Sequence, residues 1–96
     1  MYFHEAIFME NIAFVNFYLE LNGNVNILDK RGRNALHYLA MNDSVEILNI
    51  LLEHQIEVNQ KDSKDQQSPV FFALKYSSFK VMKILLSRKA EVNLTE

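Results

Sequence analysis

Three histidines, His4, His37 and His54, are the side chains of this 96-residue chain best suited to chemistry. An imidazole can bind a metal, move a proton, or hydrogen-bond through both nitrogens. No cysteine accompanies them, so disulfides and thiolate zinc sites are excluded. No G-x-x-x-x-G-K-[ST] or G-x-G-x-x-G stretch is present to cradle a phosphate, and no Ser-His-Asp or Cys-His arrangement assembles a nucleophile with its base. His4 and His37 stand 33 positions apart, and that spacing recurs along the chain.

Sliding the sequence by 33 sets Asn16 on Asn49, Leu19-Glu20 on Leu52-Glu53, Val25-Asn26 on Val58-Asn59 and Asp29 on Asp62. A further shift of 34 sets VEILNILLEHQIEVN (45–59) on FKVMKILLSRKAEVN (79–93), so the third unit holds one extra residue between Asp62 and Val70. Equivalent histidines in adjacent units lie one interhelical spacing apart, roughly 8–10 Å. A single zinc ion, with nitrogens at ~2.0–2.1 Å, cannot bridge that gap. His54 falls near a helix end, where a partly positive ring suits the dipole. The expectation is no metal, no cofactor and no catalytic residue.

Each unit reads as two short helices and a turn. Asn34 can cap a helix over 35–42 with Leu36, Leu39 and Ala40 on one face, and Asp43-Ser44 can cap a second over roughly 45–54. Ile47, Leu48, Ile50, Leu51 and Leu52 make that second helix apolar over too wide an arc for a surface helix, so neighbours must cover it on two sides. In the third unit Ser68-Pro69 is a stronger start signal, followed by a second helix with Val81, Met82, Ile84, Leu85 and Leu86. The first unit supplies Phe14, Val15, Phe17, Tyr18 and Leu19. A two-helix unit of this length cannot bury such a face alone, so the units stack into a short solenoid.

These residues resemble the ankyrin repeat family, whose pattern runs D-x-x-G-x-T-P-L-H-x-A-A-x-x-G-H and then x-x-I-V-x-L-L-L-x-x-G-A-D-V-N. The middle unit keeps Asp29, Gly32, Leu36, His37, Ala40, Ile47, Leu48, Leu51, Leu52, Val58 and Asn59. The third keeps Asp62, Ser68, Pro69, Ala73, Leu85, Leu86, Ala90, Val92 and Asn93, and the first keeps FHEA (3–6), Val15, Leu19, Val25 and Asn26. The resemblance implies an all-α, ankyrin-type helical solenoid of helix-turn-helix units with short β-hairpin-like turns. It divides one domain into units of about 1–28, 29–61 and 62–96, the first without its hairpin. Asn34-Ala35 replaces Thr-Pro, Phe71 replaces the third histidine, and DSKDQQSP (62–69) lacks the hairpin glycine, so its turn should differ from the middle one. The glycine after the second helix becomes Asn22, Gln55 and Lys89. Asn22 tolerates the left-handed conformation; Gln55 and Lys89 either adopt it at a cost of roughly 1 kcal/mol or end the helix another way.

The resemblance also assigns structural roles to His4, His37, Asp29 and Asp62. Its histidine bonds the helix-start side chain, here the Asn34 oxygen, and the backbone of the neighbouring turn. Protein-contact positions carried over are the turn tips Lys30, Arg31 and Arg33, then Ser63, Lys64, Gln66 and Gln67 with the register open. The helix positions are Glu5, Phe8 and Met9; Tyr38, Met41 and Asn42; and Phe72, Lys75 and Tyr76. Aromatic residues and methionine are enriched at interface hot spots. Tyr38 and Phe72 have a second reading, packing between neighbouring first helices.

The chain carries a net charge of −2, with Glu5, Glu10 and Glu20 and no lysine or arginine in residues 1–28, and six basic against three acidic residues in 63–96. That balance argues against nucleic acid, although the tip Lys30-Arg31-Arg33 could meet an acidic partner. The start, MYFHEAIFMEN, has no basic n-region, and no apolar run approaches the ~20 residues of a membrane span. The expectation is a soluble intracellular protein, cytoplasmic or nuclear, that binds another protein through its concave face. Head-to-tail stacking of acidic first units on basic last units is the alternative, as is a scaffold segment of a larger enzyme, channel or effector. Ile7, Phe8, Ile12 and Phe14 in the first unit suggest an apolar end face, cut from a longer protein or covered by a partner.

Overall fold

The computed structural model describes residues 2–88 and places six helices in them: α1 Phe3–Phe8, α2 Ile12–Glu20, α3 Ala35–Asn42, α4 Val45–Glu53, α5 Pro69–Lys75 and α6 Phe79–Ser87. No strand occurs among the described residues. The expected left-handed Lys89, and Ala90, Val92 and Asn93 of the closing motif, lie outside them.

Helices this short are marginal in water and depend on packing. The first helices form one row, α1 against α3 and α3 against α5, while α4 packs on α6. Ile7, Val15, Leu36, Leu39, Ile47, Leu48, Leu51, Val70, Val81 and Leu85 are fully buried in one core that runs through the stack. Each such side chain contributes about 1.5–3 kcal/mol by leaving water. Of the four residues expected on an apolar end face, Ile7 is core instead, Ile12 and Phe14 are partly buried against it, and Phe8 is exposed. The large apolar residues exposed here are Phe17 on α2 and Leu21 just beyond it.

The backbone repeats where the residue types do not. Glu10, Asp43 and Ser77, with φ 57°, 52° and 57°, are left-handed between the two helices of each pair. Asn22 and Gln55, at 63° and 61°, are left-handed after the second helix. Gly32 and Gln66, at 71° and 55°, are left-handed in the turns. These are the sites where a chain must reverse sharply, and six of the seven are held without glycine.

The two turns close in the same way on different lengths. The Asp29 carboxylate accepts the backbone N–H of Arg31 at 2.8 Å and Arg33 at 2.9 Å. In the third unit Asp62 accepts the Gln67 N–H at 2.7 Å. Gly32 thus corresponds to Gln66 and Arg33 to Gln67, which confines the extra residue to positions 63–65. Gln66 supports its own strained backbone with a side-chain N–H to the Asp62 carbonyl at 3.2 Å. The turns are tied together where the Ser63 N–H meets the Arg31 carbonyl at 2.7 Å.

Candidate interaction surface

The middle junction is built from polar groups that packing would otherwise strand. Asn34 caps α3: its side-chain oxygen accepts the Leu36 N–H at 3.0 Å, and its side-chain N–H donates to the Glu57 carbonyl at 2.8 Å. His37 is fully buried, and its Nδ1 accepts the Asn34 backbone N–H at 3.1 Å. The ring therefore bonds the Asn34 backbone and not, as expected, its side-chain oxygen. A carbonyl only accepts, so His37 Nε2 carries the proton and donates to Gln67 O at 2.9 Å, reaching the next turn. Burial pushes His37 below its ordinary range, against the Gln67 bond and Asp62, which pull it up.

Asp43 and Ser44 do not cap α4 through their side chains. Asp43 closes α3, and its carboxylate accepts the Val81 N–H of α6 at 2.9 Å, serving the helix one unit on. Ser44 sits at the start of α4 with no side-chain cap. The matching Ser78 instead donates its hydroxyl to the Ala40 carbonyl.

His4 holds the first junction differently. It donates Nε2–H to the Ile27 carbonyl at 3.0 Å and makes no capping box, because α1 begins at Phe3 after an uncapped Tyr2. Burial pushes it down as well, with the Ile27 bond and Asp29 opposing. The same junction is reinforced by Glu57 N–H on the Asn26 side-chain oxygen at 2.7 Å, and by the Asn42 side chain donating to Phe8 O.

The expected contact residues divide by burial. Phe72, expected either to bind a partner or to pack between first helices, is only 2% exposed: the His37 ring meets it edge-on at 4.7 Å, so it packs as core and is not a binding position. Tyr38 is partly buried, with its ring beside His4 at 5.4 Å and its hydroxyl donating to Asp29. Burial and the Asp29 bond push its hydroxyl up. Asp29, pushed up by burial, is held below the usual carboxylate range by Tyr38 and the Arg33 and Arg31 N–H groups. Met41 and Asn42 are partly buried. Arg33 is not a free tip: its guanidinium lies 5.1 Å from the Phe72 ring and 5.9 Å from Tyr38. Lys30, Arg31, Glu5, Lys75, Ser63, Lys64 and Gln66 are exposed, Gln67 is partly buried, and Phe8, Met9 and Tyr76 are exposed apolar residues of 50%, 63% and 46%.

No cluster of metal-ligating side chains occurs among the described residues. No helix among them is long and apolar enough to cross a membrane. What the surface offers is a row of first helices and turns carrying aromatic, methionine and basic side chains.

That architecture defines a helical repeat protein, and a family model described as ankyrin repeats (3 copies) matches residues 3–96: the chain belongs to the ankyrin repeat family. It is 28% identical over 95 residues to the nuclear factor NF-kappa-B p105 subunit of Gallus gallus, covering 97% of this chain and 10% of that protein. It is 29% identical over 73 residues to the transient receptor potential channel pyrexia of Drosophila melanogaster, covering 76% of this chain and 8% of the channel. The chain spans about a tenth of the length of these relatives. Ankyrin repeats are in general non-enzymatic modules of protein-protein interaction.

Proposed function

We propose that this chain is a non-enzymatic module, one domain of three units within a longer intracellular protein, that binds a partner protein through the concave face made by the first helices and turns. The observation that carries this reading is the exposure of Phe8 and Met9 at the end of α1 and of Lys75 and Tyr76 at the end of α5, together with that of Lys30 and Arg31 in the turn. Exposed aromatic and methionine side chains supply affinity, and charged turns supply orientation and on-rate. Met41, Asn42, Tyr38 and Arg33 shape the surface from below. Replacing Phe8, Met9 and Tyr76 together by alanine should abolish partner capture while circular dichroism stays unchanged. Undiminished capture by the folded variant would overturn this surface.

A second reading, head-to-tail assembly, draws on Leu74 and Leu86. They are 40% and 37% exposed, whereas their counterparts Ala40 and Leu52 are 0% and 9%. Association that rises with concentration would support it, with any part due to the acidic first and basic last units weakening with salt, and a monomer at all concentrations would reject it.

A further inference from the structure

Two cations on this face rest on aromatic rings. The Arg33 guanidinium is 5.1 Å from the Phe72 ring, the Phe72 and Tyr76 ring centres are 6.2 Å apart, and the Lys75 ammonium is 5.9 Å from Tyr76. Arg33 is fixed at its backbone as well, with its N–H on Asp29 Oδ1 at 2.9 Å and its carbonyl accepting the Asp29 N–H at 3.0 Å. Asp29, the nearby carboxylate, directs its hydrogen bonds to the Arg31 and Arg33 N–H groups and to the Tyr38 hydroxyl, and none to the Arg33 guanidinium is seen among the described residues. The Arg33 Nε–H is buried with no partner. A guanidinium so placed is ordered, partly desolvated and without a direct carboxylate partner among the described residues, and its planar fork matches a carboxylate.

We propose that the Arg33–Lys75 row is the subsite for an acidic segment of the partner protein, holding aspartate or glutamate carboxylates. This rests on the protein-binding reading above and adds the chemistry of the ligand. The whole chain carries −2, so its overall field repels an acidic peptide and the attraction must be local. A side chain already ordered over a ring loses little entropy on binding. Single-stranded nucleic acid fits less well, because Phe72 is buried beneath Arg33 and Tyr76, itself beside the Lys75 ammonium, is the row's one exposed ring for a base to stack on.

The test is fluorescence anisotropy with a labelled peptide carrying Glu-Leu-Glu in a Gly-Ser background, its Gln-Leu-Gln counterpart, and an oligo-dT strand. The Glu peptide should bind and weaken with salt, and the Gln peptide should bind at least about tenfold more weakly. Lys75→Gln and Arg33→Gln should each cost about fivefold to tenfold. Lys83→Gln, in a separate groove with Val45 and Ile84, should change nothing. Lys75 is exposed, so its variant tests the row even where Arg33→Gln fails to fold. Equal binding of both peptides, no binding of either, tighter binding of oligo-dT, or an equal loss in Lys83→Gln would overturn the acidic subsite. Capture of a partner through Phe8, Met9 and Tyr76 would stand or fall separately.

Discussion

His4 and His37 occupy equivalent positions in the sequence, and the junctions they hold differ in depth. His37 is fully buried, caps its own helix through Nδ1 and reaches Gln67 through Nε2. His4 is partly buried and has one such bond, to Ile27. The cause lies one turn upstream. Shifting by 33 sets Met1 where Asn34 stands, so the first unit has no capping side chain for its histidine to answer. A repeated spacing therefore places a ring, and the residues before the helix decide how much that ring secures.

Replacing the two rings separately should expose this difference most strongly. His37→Ala removes a buried ring and both of its bonds, leaving the Asn34 N–H unsatisfied and Gln67 O with only its bond from the Asp62 N–H, and should cost about 3–4 kcal/mol. His4→Ala should cost about 1 kcal/mol. Against a total of about 5–10 kcal/mol for a domain of this size, the first variant approaches unfolding and the second does not. Urea titration followed by circular dichroism measures both, and equal losses would contradict the unequal junctions.

The turns extend the comparison. Gly32 has φ 71°, and a Cβ there would lie 2.4 Å from Ser63 Oγ and 3.0 Å from Ser63 N, the group that ties the two turns together. Gly32→Ala should therefore cost about 1–2 kcal/mol, combining left-handed strain with a displaced Ser63. An unchanged urea midpoint would show that the turns are not coupled at this point. Gln66 occupies the same place in the third turn, with a side-chain N–H on Asp62 O where Gly32 has only freedom of φ.

Acid should separate the junctions by a smaller margin. Both histidines are pushed by burial below the ordinary value of about 6.5, so the unfolded chain takes up protons first as the pH falls. Their stability contribution is present above about pH 6.5 and is lost as the pH drops toward the folded values. A proton on His37 Nδ1 also removes its bond to the Asn34 N–H, whereas His4 keeps its Nε2 bond to Ile27 when Nδ1 protonates. Asp29, held low, sustains stability above about pH 3.9 and loses it in stronger acid. Melting temperatures in a pH series should fall in these two stages. His4→Gln should keep most of the first, and a melting temperature that is flat between neutral pH and about pH 5 would overturn the assignment.

Much of this was legible in the sequence, for reasons that particular residues make plain. The helix starts at Asn34 and Ser68 and the left-handed Asn22 and Gln55 follow from local chemistry that the period repeats. The burial of Phe72 was harder to see, because its counterpart Tyr38 carries a hydroxyl that reaches Asp29 and stays partly exposed. The bonds from Val81 to Asp43, from Ser78 to Ala40 and from Glu57 to Asn26 join groups 38, 38 and 31 residues apart and leave no periodic trace. One missed signal was present: Glu10, Asp43 and Ser77 fall where the family pattern has glycine, and their spacing of 33 and 34 marks a left-handed series. The acidic subsite depends on Arg33 lying over Phe72, which spacing alone does not specify.

The smallest effect concerns the closing turn of α4. Gln55 is exposed and left-handed at φ 61°, one residue past the His54 cap. Its N–H bonds the Leu52 carbonyl at 3.2 Å, so the backbone is held in that conformation. Unlike Asp43, whose carboxylate accepts the Val81 N–H, its side chain is not used at a junction. Gln55→Gly should then relieve left-handed strain and stabilise the fold by about 0.5–1 kcal/mol, less the added freedom glycine gives the unfolded chain. For a domain of this size that raises the melting temperature by about 2–6 °C. The same change at Asp43 should lower it, because relief of strain there is outweighed by loss of the Val81 bond. A rise in both variants would mean that the left-handed backbone, and not the carboxylate, limits the second junction.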